Sequence, residues 1–395
     1  MGRRLVYMDH SATTPLREEV IKAMEPFFRE RYGNPSSLHS WGRETRQAVE
    51  SARRKVGLAL GSEPEEIYFT GGGTESNNIV LQGIARRRGK GHIITSSIEH
   101  HAVLDVCRDL ATGGFQVTYL PVDRYGMVDP REVEEAITPG TVLISIMMAN
   151  NEVGTIQPIK EIGNLARLKN ILFHTDAVQA VGKLPVKVND LGVDFLSLSA
   201  HKFNGPKGVG ALYVRKGVSL APLCNGGGQE RKLRPGTENV PGIVGLAEAL
   251  ELAMGELSPR TAHLVALQKR MEEGLLKIGG ATVNGHPQLR LPGHINVSFN
   301  YVEGESLLLG LDLQGVAASS GSACTSGSID PSHVLLAMGL EPEVARGSLR
   351  LTMGWENTAE DVDYVLGVLS PLVKRLRKIS AHYPQSRSWE GLKGV

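Results

Sequence analysis

The chain has 395 residues, 41% hydrophobic and 22% charged, a length that can bury large cores and divides into about two or three domains. Its formal net charge of +1 removes any global electrostatic case for nucleic acid or an anionic membrane as partner. With 46 glycines and 5% aromatics, it suits a loop-rich α/β enzyme better than an all-β protein.

At the start, Met1-Gly2-Arg3-Arg4 is basic, but the apolar run Leu5-Val6-Tyr7-Met8 stops at Asp9 and is too short for a signal segment. Val6 stands where a myristoylation pattern needs Ser or Thr, so a cytoplasmic protein is expected. Spacing predicts a helix over 43–60, with Ala48, Val49, Ala52, Val56 and Leu60 on one side. A short strand over 66–70 opens onto Gly71-Gly72-Gly73-Thr74-Glu75-Ser76. That turn offers N–H groups at a helix N-terminus, with Thr74 as a hydroxyl cap, and so forms a cradle for a phosphate. It is neither a Walker A motif nor a complete Rossmann fingerprint. The helix through Ile79, Leu81 and Ile84 runs into Arg86-Arg87-Arg88-Gly89-Lys90, the main basic cluster, which reads as a solvated helix C-terminus.

Strands over 92–95, 116–119 and 142–147 follow, with helical segments between them. The longest apolar run, 142–149, contains Ser145 and is far short of a membrane span. Such alternation implies a largely parallel sheet covered on both faces. After about residue 260 the pattern restarts with a helix over 261–278, strands over 294–299 and 346–351, and a last helix over 361–378. These segments form a second, smaller domain.

Two motifs near the middle of the chain carry chemistry. Ile171-Leu172-Phe173-His174 leads into Asp176, with Gln179 close behind; 194–199 leads into Ser199-Ala200-His201-Lys202. Open α/β sheets collect ligands at the carboxyl ends of their strands. A carboxylate, a hydrogen-bonding amide and a lysine there are what pyridoxal phosphate chemistry needs, since the lysine forms a Schiff base and the acid keeps the ring nitrogen protonated. His100 and His101 are adjacent and lack further ligands at metal spacing, which argues against zinc. One of them is free to stack on a cofactor or to move protons; a solvent-facing imidazole is the simpler alternative.

Three cysteines form no CxxC pair and no even disulfide framework. Cys107 shares an apolar helix face with Val103, Val106 and Leu110 and reads as core. Cys224 precedes a turn-like glycine run and has no assigned role. Cys324 lies in a Ser- and Gly-rich stretch, about 318–330, without apolar periodicity. Such a stretch reads as a mobile loop, and its cysteine as either an incidental thiol or a nucleophile.

Ordered motifs along almost the whole chain resemble the pyridoxal 5′-phosphate-dependent cysteine desulfurases of the NifS/IscS type, class V of the aspartate-aminotransferase-like fold group. They include Asp9-His10-Ser11-Ala12-Thr13-Thr14-Pro15, Thr74-Glu75-Ser76-Asn77-Asn78, Asn150-Asn151-Glu152, Arg234-Pro235-Gly236-Thr237, Ser319-Ser320-Gly321-Ser322-Ala323-Cys324-Thr325-Ser326 and Arg350. The length of the Cys324 loop is similar to the NifS/IscS branch rather than the SufS-like one. The resemblance implies an α/β transferase of fold type I: a large cofactor domain over 16–260 with a mostly parallel sheet, and a smaller α+β domain from 1–15 and 261–395.

By the same resemblance, Lys202 carries the cofactor and is the Cα base. Asp176 pairs with the ring nitrogen, Gln179 meets the O3′ edge, and His100 stacks on the ring and handles protons. Gly73, Thr74, Ser199 and His201 hold the phosphate, with Thr237 reaching over from a second subunit of a homodimer. Asn151, which also contacts the cofactor, and Arg350 bind the substrate L-cysteine, and Cys324 accepts its sulfur as a persulfide. An Fe–S scaffold protein or another sulfur acceptor, such as a tRNA-thiolating enzyme, follows as partner. No metal is required, although Cys324 has the chemistry to ligate a nascent Fe–S cluster with that partner. Two departures are Gly73 in place of a frequent alanine and Ile98 in place of a frequent threonine. A selenocysteine lyase or another aminotransferase-like enzyme shares most of these residues. A non-catalytic sulfur-transfer scaffold needs none of the cofactor set.

Overall fold

Short runs of aliphatic and β-branched residues with no polar alternation build the centre of the molecule, because strands covered on both faces have no solvent side to mark. In the computed structural model, which describes residues 4–320, 331–380 and 383, seven of them form one sheet. They are β2 (Ile67–Thr70), β3 (His92–Ser96), β4 (Gln116–Leu120), β5 (Thr141–Ser145), β6 (Leu172–Asp176), β7 (Phe195–Ser199) and β8 (Gly210–Val214). The order is β2-β8-β7-β6-β5-β3-β4. β7, β6, β5, β3 and β4 pair in parallel, whereas β8 runs antiparallel to both β2 and β7. The mostly parallel α/β expectation therefore holds, with β8 as the reversed strand that the spacing of apolar runs did not reveal. β4, at the sheet edge, is the strand that keeps exposed positions, Gln116 and Tyr119.

Helices cover both faces. Val49, Val56, Phe173, Leu196, Ile243 and Leu250 belong to one core, packed by helices Ser40–Leu60, Ile159–Leu168 and Val240–Gly255. Ile79, Ile84, Val103, Cys107 and Leu143 belong to the other, under helices Gly73–Arg88 and His101–Thr112. The helix expected over 43–60 begins at Ser40, where the His39 ring accepts from the Gly42 N–H at 3.2 Å, and stops at Gly61, whose φ of 70° suits a left-handed cap. Burial pushes the Cys107 thiol up to about 12, as suits a core sulfur. Arg86, Arg87 and Arg88 do close their helix at its C-terminal turn, and Arg86 also donates to the carbonyls of Pro222 and Leu223 at 2.6 and 2.7 Å.

A three-stranded antiparallel sheet, β9 (Ala281–Asn284), β10 (His294–Phe299) and β12 (Ser348–Thr352), packs on helices Leu257–Leu275 and Ala359–Ile379 around Ile295, Val297, Leu351, Val365 and Leu369. The helix expected from 261 starts at Leu257 because it follows the preceding helix after a single break at Glu256. Arg346, expected in a strand, instead ends the short helix Pro342–Arg346. At the chain start, β1 (Val6–Tyr7) pairs in parallel with β11 (Val316–Ala317), and Asp9 bridges to Thr352. This pairing carries the segment after Met8 to the carboxyl edge of the large sheet. Among the described residues, no helix is long and apolar enough to cross a membrane.

Candidate active site

β2, β3, β5, β6 and β7 end on one edge of the sheet, and the residues just past those ends enclose a cavity of about 290 Å³. Gly73, Thr74, His100, Asn151, Asp176, Gln179, Ser199, His201, Lys202 and Arg350 all line it. Two expected residues do not appear there. Thr237 is exposed and away from the cavity of its own chain, and Cys324 lies outside the described residues.

The loop after β2 is shaped by glycine. Gly72 has φ 150° and ψ −176°, a conformation essentially closed to other residues. The next residue, Gly73, starts the helix, and a Cβ there would come within 2.5 Å of Val178 Cγ2, so the loop approaches the floor of the site closely. Thr74 does not act as the helix cap: Gly72 holds that position, no side chain caps it, and Thr74 sits exposed in the first turn beside the cavity. The N–H groups of that turn have no acceptor within the helix, which leaves them for an anion. Glu75 braces the loop by accepting from the Gly71 N–H and from Arg234 Nε at 2.9 Å.

Asp176 closes β6 and is 6% exposed. One carboxylate oxygen accepts from the Val178 N–H at 3.0 Å and the other from Asn77 Nδ2 at 2.6 Å. Asn77 lines the same cavity, and its carbonyl oxygen is buried without a partner. His100 caps the helix that follows it, its Nδ1 accepting from the Ala102 N–H at 3.0 Å, so the neutral ring carries its proton on Nε2. Burial lowers its pKa, Asp176 opposes that, and Lys202 reinforces it. His101 turns away to stack near His333, with ring centroids 5.0 Å apart. His201 is held down to about 4, by burial first and then by Lys202 and other lysines.

Lys202 ends a short 3-10 turn after β7, and its Nζ donates to the carbonyls of Ser11 and Ala12 at 2.5 and 2.9 Å. Gln179 Nε2 donates to the same Ser11 carbonyl at 2.9 Å. The Thr14 N–H and hydroxyl both donate to the His201 carbonyl at 2.9 Å, which fixes the N-terminal segment against the lysine turn. Arg350, 2% exposed on β12, donates from Nη1 to the Asn151 carbonyl at 3.0 Å and from Nη2 to Asp9 at 2.8 Å. Its Nε is buried without an acceptor.

Sequence reasoning left Asn77, Ser11 and Ala12 without a role. Asn77 follows Thr74 on the same helix, so position alone gave some hint. Ser11 and Ala12 had as a signal their place in the Asp9–Pro15 motif, which carried no residue role. The residues flanking 321–330 also meet the site: Ser319 exchanges backbone hydrogen bonds with Arg350, and Ser332 donates to the buried Glu152 carboxylate. Burial raises Glu152 to about 7 and Glu99 to about 8. Ile98, in place of a threonine, packs into an apolar cluster with Met147, Val153 and Leu335.

A glycine-opened helix N-terminus, a buried acid and a lysine at the carboxyl edge of a mostly parallel sheet define a class of protein. The family model for class-V aminotransferases matches residues 6–365, and the chain belongs to that family. Within it the chain groups with the cysteine desulfurases. It is 57% identical over 385 residues to the cysteine desulfurase IscS of Methanosarcina thermophila, covering 97% of this chain and 95% of that one. It is 53% identical over 392 residues to the cysteine desulfurase IscS of Dictyoglomus turgidum, with 98% of each covered. A solved NifS-like protein superposes with a TM-score of 0.89 at 44% identity, over 94% of this chain and all of that one.

Proposed function

We propose that this chain is a pyridoxal 5′-phosphate-dependent cysteine desulfurase working as a cytoplasmic homodimer. It takes L-cysteine, returns L-alanine and passes the sulfur through Cys324 to an acceptor such as an Fe–S scaffold protein or a tRNA-thiolating enzyme. The observation that carries this reading is the convergence of Lys202, Asp176 and Arg350 on one cavity whose rim is a helix first turn. The residues present fit the cofactor. Polar atoms of Asn77 and Arg350 are buried in the wall without partners, which buried polar groups rarely tolerate unless a ligand completes them.

Gly73, Thr74, Ser199 and His201, with the partner subunit's Thr237, would hold the phosphate, and Asp176, Gln179 and His100 the ring. Bound there, the cofactor supplies an electron sink that makes the Cα–H of an amino acid acidic. Asp176, its two oxygens held by the Asn77 and Val178 donors, would keep a proton on the ring nitrogen. Lys202 is placed to hold the cofactor and to move the Cα proton. His100, its Nδ1 engaged by the Ala102 N–H, has Nε2 as the atom through which it would handle a proton. Arg350 retains N–H groups beyond those on Asn151 and Asp9, and these, with Asn151, would orient the substrate carboxylate.

Cys324 as thiolate takes the sulfur: an S–S bond forms, the substrate C–S bond breaks, and the bond's electrons and a proton end on the alanine methyl group. The buried, high-pKa Cys107 is unsuited to that role. The test is the protein given cysteine without reductant. One added sulfur atom is expected on the peptide bearing Cys324, removable by a thiol, and Cys324→Ser should lose alanine production. Alanine and sulfide formed by Cys324→Ser at the wild-type rate would overturn the reading.

A further inference from the structure

Lys183 lies in the tight turn between Val181 and Leu184, where Gly182 adopts φ 79° against Phe203 and the N–H groups of Lys183 and Leu184 both donate to the Ala180 carbonyl. The turn places Lys183 Nζ 3.0 Å from Gln179 Oε1. On its other side Lys183 lines a second, small cavity of about 40 Å³ behind Lys202, shared with Ser11, His10, His294 and Arg260. Ser11 and Lys202 line both cavities, so the Gln179–Ser11–Lys202 group forms the wall between them. Burial, then the charges of Lys202, Arg350 and Arg260, hold the Lys183 ammonium down to about 7.

A glutamine amide has an accepting and a donating end, and which end faces a ligand decides what the ligand meets. Below about pH 7 the Lys183 ammonium can only donate, so it binds the oxygen end and nothing else. With Oε1 held by Lys183, Nε2 must face Ser11, where it donates at 2.9 Å to the carbonyl that also takes Lys202 Nζ. The amide has a second N–H besides the one on Ser11, and Gln179 lines the large cavity. We propose that Lys183 is a positioning residue that locks the Gln179 amide so that a group bound in the large cavity meets a hydrogen-bond donor, and that steadies the Ser11 carbonyl shared with Lys202. This rests on the cofactor reading given above, in which the donor faces the O3′ edge.

The test reads the pH midpoint of the visible band of the lysine-bound cofactor in the loaded protein, with circular dichroism as the check on folding. Lys183→Met removes the lock and a neighbouring positive charge, both of which favour the deprotonated chromophore, so its midpoint moves up by about one pH unit. Lys183→Arg, which still only donates, stays near wild type. Where Lys183→Met does not fold, Lys183→Gln carries the same expectation, because a neutral amide can present either end. In a Gln179→Ala background the shift caused by the Lys183 change falls to less than about half, since coupled residues are non-additive. An unchanged midpoint in Lys183→Met overturns the inference, and so does an equal shift with Gln179 removed. Wild-type protein that shows no band with pyridoxal phosphate overturns the cofactor reading itself, a result separate from either of those.

Discussion

Asn77 donates to Asp176 at 2.6 Å and keeps its own carbonyl oxygen buried and unpartnered. A carboxylate that must stay charged beside a ring nitrogen needs such donors, because burial alone favours its protonated form. A hydrogen bond to a charged group contributes roughly 1.5–3 kcal/mol, so Asn77→Ala should lower turnover on cysteine by about ten- to a hundredfold. Asn77→Asp should do worse, since it places a second carboxyl against the first. Steady-state alanine production measures both, and an Asn77→Ala enzyme with wild-type turnover would remove Asn77 from the site. His100 and His101 show a similar division of labour: adjacent in the chain, one lines the cavity and the other meets His333. The turn from loop into helix separates them.

The glycine loop after β2 and the turn after β6 fit together as elements. A Cβ on Gly73 and the Val178 side chain claim the same space, with 2.5 Å between them. An alanine at 73 therefore requires a smaller residue at 178. Gly73→Ala alone should weaken cofactor binding, measured by titration of the apoprotein, by about tenfold, an overpacking cost of order 1–3 kcal/mol. Val178→Ala in the same chain should restore most of the loss, and two additive defects would contradict the steric account. The reversed strand β8 is likewise an element-level fact. It returns from the lysine turn into the gap between β2 and β7, so the two motifs that end those strands face each other across it.

At the scale of the whole molecule, Thr237 lies exposed and does not line the cavity of its own chain. The proposed dimer gives it a place in the partner's site. Lys202→Ala and Thr237→Ala proteins should each lose activity alone. Mixed dimers then contain one site with an intact Lys202 and an intact partner Thr237, so coexpression of the two should recover desulfurase activity. Recovery absent from a purified mixed dimer, or an active monomer by ultracentrifugation, would argue against a shared site.

Much of the site was legible before the fold. Apolar runs ending in Asp176 and Ser199 marked strand ends, and strand ends in an open sheet face the ligand edge whatever the surrounding packing. Helical spacing placed Cys107 in a core, because local periodicity encodes which face of an element is buried. The fold decided the rest. Ser11 and Ala12 meet Lys202 because β1 pairs with β11 and Asp9 with Thr352, contacts between segments hundreds of residues apart. Thr74 does not cap its helix because Gly72 takes that position in a backbone that Glu75 and Arg234 brace. Residue type and spacing report the conformation a segment prefers on its own. Which groups share a hydrogen bond across the cavity depends on how the sheets and helices pack, and that is settled only when the whole chain closes.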